Sequence, residues 1–147
     1  MATNAPSRAA WNHGLIDDYR ANGKPTSGPF VGRQVLLLTT TGSKSGEQRT
    51  SPLVWTQDGE HIVIVASMGG APTHPHWFTN LEKNPVVTVE LGKETFQARA
   101  TVVDDLAERR RLYDQHADLH SSFTEYEART TRTIPVVLLD RVDSSAA

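Results

Sequence analysis

Residues 39–49 bring together side-chain types that bind anions. The run TTTGSKSG at 39–46 carries hydroxyls, two glycines and Lys44, and Arg49 follows three residues later. A loop of this kind points backbone N–H groups and a Lys–Arg pair at one negative group. It is not a Walker loop, because the glycine spacing differs and no helix pattern follows Ser45. A solvated hairpin turn is the competing reading. A second stretch, ASMGG at 66–70, ends an apolar run in two glycines. Bare backbone there admits a flat ring, with Ser67 as a hydrogen-bond partner, and an ordinary turn is equally consistent. A third stretch, HPHWFTN at 74–80, offers two histidines with no nearby carboxylate, a weak basis for a metal site, so no metal is expected. On a helix starting near Pro75, Trp77 and Asn80 share a face, an aromatic and an amide suited to a heterocycle. Core packing is the plainer role for Trp77. No nucleophile elbow or Ser–His–Asp pattern supports hydrolysis. With no cysteine in the chain, thiolate, disulfide and cysteine–metal chemistry are excluded.

The elements that must position these residues follow from periodicity and punctuation. Trp11, Leu15 and Tyr19 fall four apart and predict a helix over 8–22 that Gly23 ends. That stripe packs on the domain or, alternatively, touches a membrane surface. Residues 24–32 read as a loop. The apolar run 35–38 continues through three threonines as a buried strand ending at Gly42. Strands at 53–56 and 62–65 join around Asp58-Gly59, a strong hairpin signal. A short helix over 74–83 is closed by Asn84-Pro85. A second hairpin pairs 86–91 with 95–103 through Gly92-Lys93, with Phe96, Ala98, Ala100 and Val102 on the buried face. Asp105 and Glu108 resemble a capping box that opens a helix to about Ala117, and another short helix covers 121–129. A final strand spans 134–142, where Pro135 marks an edge or a strand opening. About six strands and three or four helices, mostly joined by hairpins, predict an α+β, mainly β fold, a small antiparallel barrel covered by helices. The chain divides into a tail over 1–7, a helix and loop over 8–32, a main domain over 33–142 and a C-terminal tail over 143–147.

The 147 residues are 37% hydrophobic and 22% charged with a formal net charge of -2, which fits one globular domain. No global positive field exists to hold nucleic acid, so a basic site must be local. The first twenty residues lack a signal-peptide core, and apolar runs such as 62–66 are too short to span a bilayer. A cytoplasmic, soluble protein is expected, with a peripheral place on the inner membrane face as the alternative if the first helix makes a weak membrane contact.

Taken in order, the run LLLTTTGSKSG at 36–46, Arg49, Pro52-Leu53, ASMGG at 66–70, Trp77, Asn80-Leu81, Asn84-Pro85 and RTIP at 132–135 resemble the deazaflavin-dependent nitroreductases. These reductases use coenzyme F-420 (8-hydroxy-5-deazaflavin), and the match covers residues 34–142. The resemblance implies a split β-barrel with the coenzyme in a surface groove. Lys44 and Arg49, with Ser43 and Ser45, would cradle its phosphate and anionic tail, while Pro52, Leu53 and Val54 line the groove. Val65, Ala66, Ser67, Met68 and Gly69 would lie along the ring, with His76, Trp77 and Asn80 closing over it. The implied activity is hydride transfer to a small-molecule acceptor: quinones, enones or other activated double bonds, stacked with reacting atoms about 3–3.5 Å apart. Ser67 or Tyr126 would serve the acceptor oxygen, and His120, Phe123 and Tyr126 would face the substrate. The family often has basic residues where this chain has Ser43 and Met68, which leaves Lys44 and Arg49 more of the electrostatic task. An FMN-dependent reductase of the same fold and a non-catalytic deazaflavin carrier are the alternatives. Only one of the family's substrate tyrosines persists, at Tyr126, so nitro reduction is less expected than quinone reduction. A monomer and a dimer are both compatible with the sequence.

Overall fold

The sheet is built outward from the most apolar run in the chain. Val35–Thr41 forms β1, and Leu36, Leu37 and Leu38 in it are each 0% exposed. Consecutive rather than alternating burial marks a strand covered on both faces, with each leucine contributing about 1.5–3 kcal/mol. The structure is a computed structural model that describes residues 8–142, with side chains from residue 13 onward. Within it, β2 (Gln48–Val54), β3 (Thr56–Asp58), β4 (His61–Val65), β5 (Val86–Leu91), β6 (Glu94–Val102) and β7 (Val136–Arg141) complete one antiparallel sheet. Its order is β2-β1-β5-β6-β7-β4-β3, and it curls into the half-barrel of a split-barrel α+β fold. Four helices cover it: α1 (Arg8–Asn22), α2 (His76–Lys83), α3 (Leu106–Leu119) and α4 (Ser122–Ala128).

The two faces of β1 feed two cores. Leu36 and Leu38 join Trp77, Phe78 and Leu81 of α2, while Leu37 joins Tyr19 of α1, Leu112 of α3 and Phe123 of α4. The first helix is fastened at its C-terminal end. The Tyr19 hydroxyl donates to Val35 O (2.9 Å) and accepts from Gly92 N (2.8 Å), and Gly23, at φ 73°, turns the chain away. Leu15 and Tyr19 thus pack on the domain, while the side chain of Trp11 lies outside the described residues.

The structure adjusts two expected bounds and decides between two alternatives. The described residues form seven strands rather than about six, because the segment read as one strand over 53–56 breaks at Trp55, whose N–H turns to Gln34 O (3.0 Å) and separates β2 from β3. Pro135 takes the strand-opening position of the two alternatives, not the edge: it immediately precedes β7, which lies between β6 and β4, and its carbonyl accepts from Ala66 N (2.9 Å). The edge proline is Pro52, opposite Leu37 in β2, the outermost strand, where no ladder donor is needed on its free side. Lastly, α3 continues past Ala117 to Leu119.

Candidate functional site

Between β2 and the helices runs a groove in two compartments, of about 1030 Å³ and about 630 Å³, that share Ser51, His76 and Trp77. The larger compartment is walled by the β1–β2 loop, the start of α2 and the exposed side of α1. The smaller is floored by β2 and β4 and closed by the 3-10 turn Met68–Gly70 and α4.

Cations dominate the loop that opens the larger compartment. Lys44 has no hydrogen-bond or ion-pair partner among the described residues, and Arg49 donates to Glu47 at 2.9 Å, both side chains 65% exposed. The loop is rigidly shaped. Gly42 N donates to Glu47 O (2.7 Å), Gly46 N to Gly42 O (3.0 Å) and Glu47 N to Ser45 Oγ (3.1 Å). Asn80, 6% exposed, ties it down: its Oδ1 accepts from Ser43 N (3.0 Å) and its Nδ2 donates to Thr40 Oγ1 (3.1 Å). The Asn80 amide therefore shapes the loop. Lys83, one helical turn on, donates to Ser43 O (3.0 Å) and adds a cation behind it. That residue was missed in the sequence, although its i,i+3 spacing from Asn80 places both on one face of α2. From α1, His13, Asp17 and Arg20 close the compartment, with the Arg20 charge taken by Glu90 at 2.8 Å.

The smaller compartment is apolar at its floor and polar at its rim. Pro52, Leu53, Val54 and Val65 form the floor. The turn beside it holds three consecutive left-handed residues, Met68 (φ 47°), Gly69 (φ 64°) and Gly70 (φ 83°). A left-handed methionine stores backbone strain and needs outside support. Arg132 supplies it, forking to Ser67 O (2.7 Å) and Ala71 O (2.8 Å) across the turn and donating to His74 Nδ1 (2.8 Å). Burial, then the adjacent guanidinium, holds His74 below its ordinary pKa, so the imidazole is neutral and free to accept. Nothing stands within 4 Å of where a Cβ on Gly69 would be, so bare backbone faces open space there.

Helix α4 brings Phe123 and Tyr126 to the far end, their rings 5.1 Å apart edge to face. It is held from behind by Tyr113, whose hydroxyl donates to Phe123 O (2.7 Å), and by Glu127, which takes Arg110 and Arg109. Hydrogen bonds from Arg110 first, then Arg109, keep the Glu127 carboxyl below its usual range. The Ser67 and Tyr126 hydroxyls make no hydrogen bond among the described residues and line the same compartment.

Two expected site residues stand elsewhere. Ala66 is 0% exposed, embedded in the core with its N–H on Pro135 O. His120 is 2% exposed and faces inward, Nε2 on Trp55 O (3.1 Å) and Nδ1 toward Arg33 (3.2 Å), so it does not reach the groove to meet a substrate. Ser43, Lys44, Ser45 and Arg49 lie in the cationic compartment, with His76 and Trp77 at the junction. Among the described residues, no group of three or more His, Cys, Asp or Glu is placed to hold a metal. A flat aromatic body with an anionic tail fits the arrangement: apolar floor and bare backbone at one end, an unpaired lysine at the other.

The model of the F420H(2)-dependent quinone reductase family matches residues 12–141. The F420H(2)-dependent quinone reductase of Mycobacterium tuberculosis (strain ATCC 25618 / H37Rv) is 39% identical over 110 residues, 72% of this chain and 72% of that protein. A solved F420-H2-dependent reductase superposes with TM-score 0.66 at 34% identity, over 74% of this chain and 95% of its own. A solved domain-swapped dimer superposes with TM-score 0.68 at 30% identity, over 91% of this chain and 100% of its own.

Proposed function

The chain belongs to the F420H(2)-dependent quinone reductase family, and from that premise we propose how its groove divides the work. The protein is an oxidoreductase whose cofactor is coenzyme F-420. Lys44 and Arg49 hold the anionic tail, with the Ser43 and Ser45 hydroxyls beside them, by charge-assisted contacts. The floor of Pro52, Leu53, Val54 and Val65 and the backbone of Met68 and Gly69 bed the ring, with His76 and Trp77 at the junction. The reading is supported by one observation: a cationic compartment adjoins an apolar one, and the two share Ser51, His76 and Trp77 as lining.

When bound, the reduced coenzyme supplies a hydride. The chain positions the acceptor, a quinone or another activated double bond, between that ring and α4. Phe123 and Tyr126 offer it an aromatic wall, and the Ser67 and Tyr126 hydroxyls donate toward its oxygen as negative charge develops. Asn80, Lys83 and Arg132 are positioning residues, because their polar groups are engaged with the two loops that shape the groove.

Mixing purified protein anaerobically with reduced F-420 and a naphthoquinone tests this. Oxidised coenzyme is expected to appear only when both protein and quinone are present. Tight binding without oxidation makes the chain a carrier, and tighter binding of FMN than of F-420 overturns the cofactor reading.

A further inference from the structure

At the ring end of the groove stands a cation that the division of work above leaves without a role. Arg33 lines the smaller compartment beside Phe30, Ser122 and Tyr126, at the opposite end from Lys44 and Arg49. Most other described arginines, Arg109 and Arg111 among them, have a carboxylate within 4 Å; Arg33 has none among the described residues. What backs it instead is an imidazole, His120 Nδ1, 3.2 Å from its Nη2. The other ring nitrogen of His120 lies 3.1 Å from the Trp55 carbonyl, which only accepts, so Nε2 carries the proton and Nδ1 accepts from the guanidinium. Behind His120, at 5.0 Å between ring centroids, is His116, fully buried with its Nδ1 on Thr56 Oγ1 (3.0 Å). A neutral backing orients Arg33 through one of its five N–H groups and leaves its charge uncompensated.

An uncompensated guanidinium at the acceptor end of a reductase groove has a specific electrostatic use. As a quinone accepts a hydride, negative charge settles on its oxygen until a proton from water completes the hydroquinone. The guanidinium meets that charge with a planar fork of N–H donors in a partly dry site. We propose that Arg33 is the acceptor-recognising residue of the groove, binding the oxyanion that forms on a quinone during reduction, with His120 as its positioning residue. The inference rests on the reductase reading above. It predicts that a quinone already carrying an ionised oxygen binds more tightly than its neutral counterpart, since it mimics the charge the site is built to meet.

The test compares two naphthoquinones on the protein loaded with oxidised coenzyme, so that binding is read without turnover. Lawsone, a hydroxynaphthoquinone that is an anion at neutral pH, is the charged probe, and menadione is the neutral one. Wild-type protein is expected to prefer lawsone. Arg33→Gln keeps a donor for His120 but removes the charge, and is expected to weaken lawsone about tenfold, or roughly 1.4 kcal/mol, while menadione and coenzyme affinities change less than about twofold. Arg33→Lys is expected to retain most of the preference. With menadione as substrate, Arg33→Gln should lower kcat with little change in KM. The proposal is overturned if Arg33→Gln keeps the lawsone preference, or if both variants lose affinity for both probes alike, which marks a structural role. Failure of the wild type to bind coenzyme at all sinks the reductase reading instead.

Discussion

Glu47 already holds Arg49, one of the two cations proposed to grip the coenzyme tail. Its carboxylate sits 2.9 Å from Arg49 on the exposed surface, where such a pair contributes about 0.2–1 kcal/mol. Glu47→Gln is therefore expected to tighten F-420 up to about fivefold, because Arg49 no longer has to leave a partner. Lys44→Ala with Arg49→Ala is expected to weaken it at least about tenfold and to flatten its dependence on salt. Fluorescence titration of the oxidised coenzyme at two ionic strengths reads both, and an unchanged affinity in the double variant removes the docking site. That Lys44, Arg49 and Ser67 line a groove was readable from residue type and local spacing, and Tyr126 was readable only through the family resemblance. Arg33 with His120, Arg132 with Ser67 and Asn80 with Ser43 were not. Their hydrogen bonds join positions 87, 65 and 37 apart, and no local pattern encodes a partner at that separation.

The turn Met68–Gly70 and α4 meet so closely that adjacent glycines there have different tasks. A Cβ on Gly70 would lie 2.6 Å from Tyr126 O and 2.9 Å from Arg129 Cβ, whereas one on Gly69 meets nothing within 4 Å. Both residues are left-handed, so either alanine adds strain. Gly70→Ala must also push α4 outward, and is expected to cost about 1–3 kcal/mol of stability and to raise the acceptor KM, since Tyr126 moves with the helix. Gly69→Ala is expected instead to weaken coenzyme binding, because its methyl intrudes on the ring bed. Thermal melts and coenzyme titrations separate the two, and identical profiles would show that the turn acts only through its fold. The hairpins at Asp58-Gly59 and Gly92-Lys93 and the Asp105 cap were readable because a few neighbouring residues set each one; Asp105 accepts from Glu108 N at 3.0 Å. What stayed hidden was β2, whose residues 48–53 face solvent or the groove and show no alternation, and the interior position of β7, which depends on partners far along the chain.

At the scale of the whole molecule, acid should loosen the layer of α3 and α4 before it reaches the carboxylates. His116 is 0% exposed, its Nε2 has no partner among the described residues, and burial, reinforced by His120 and Arg33, pushes its pKa down from an ordinary 6.5 to about 3. Facing it are Thr56 of β3, His120 and Phe123, with Arg33 beyond; no carboxylate among them stabilises an imidazolium. A base whose folded pKa lies below its unfolded one leaves stability intact above the unfolded value, and that stability is lost as pH falls toward the folded value. The window therefore runs from about pH 6.5 down to about pH 3, at about 1.4 kcal/mol per unit once below the upper limit, or roughly 2 kcal/mol by pH 5. The ion-paired carboxylates Asp58, Glu94 and Glu127 are held below their ordinary values of 3.8, 4.5 and 4.5 and keep their contribution above them, so the upper part of the histidine window lies clear of theirs. Urea unfolding at pH 7.5 and pH 5 should show the loss in wild type and a markedly smaller one in His116→Gln, which preserves a polar partner for Thr56 without a titrating ring. Equal losses in the two proteins would place the acid sensitivity elsewhere. A loss confined to His116 would tie the stability of the helical layer to the neutral imidazole pair behind Arg33, because one buried pair then serves both the fold and the cation that lines the smaller compartment.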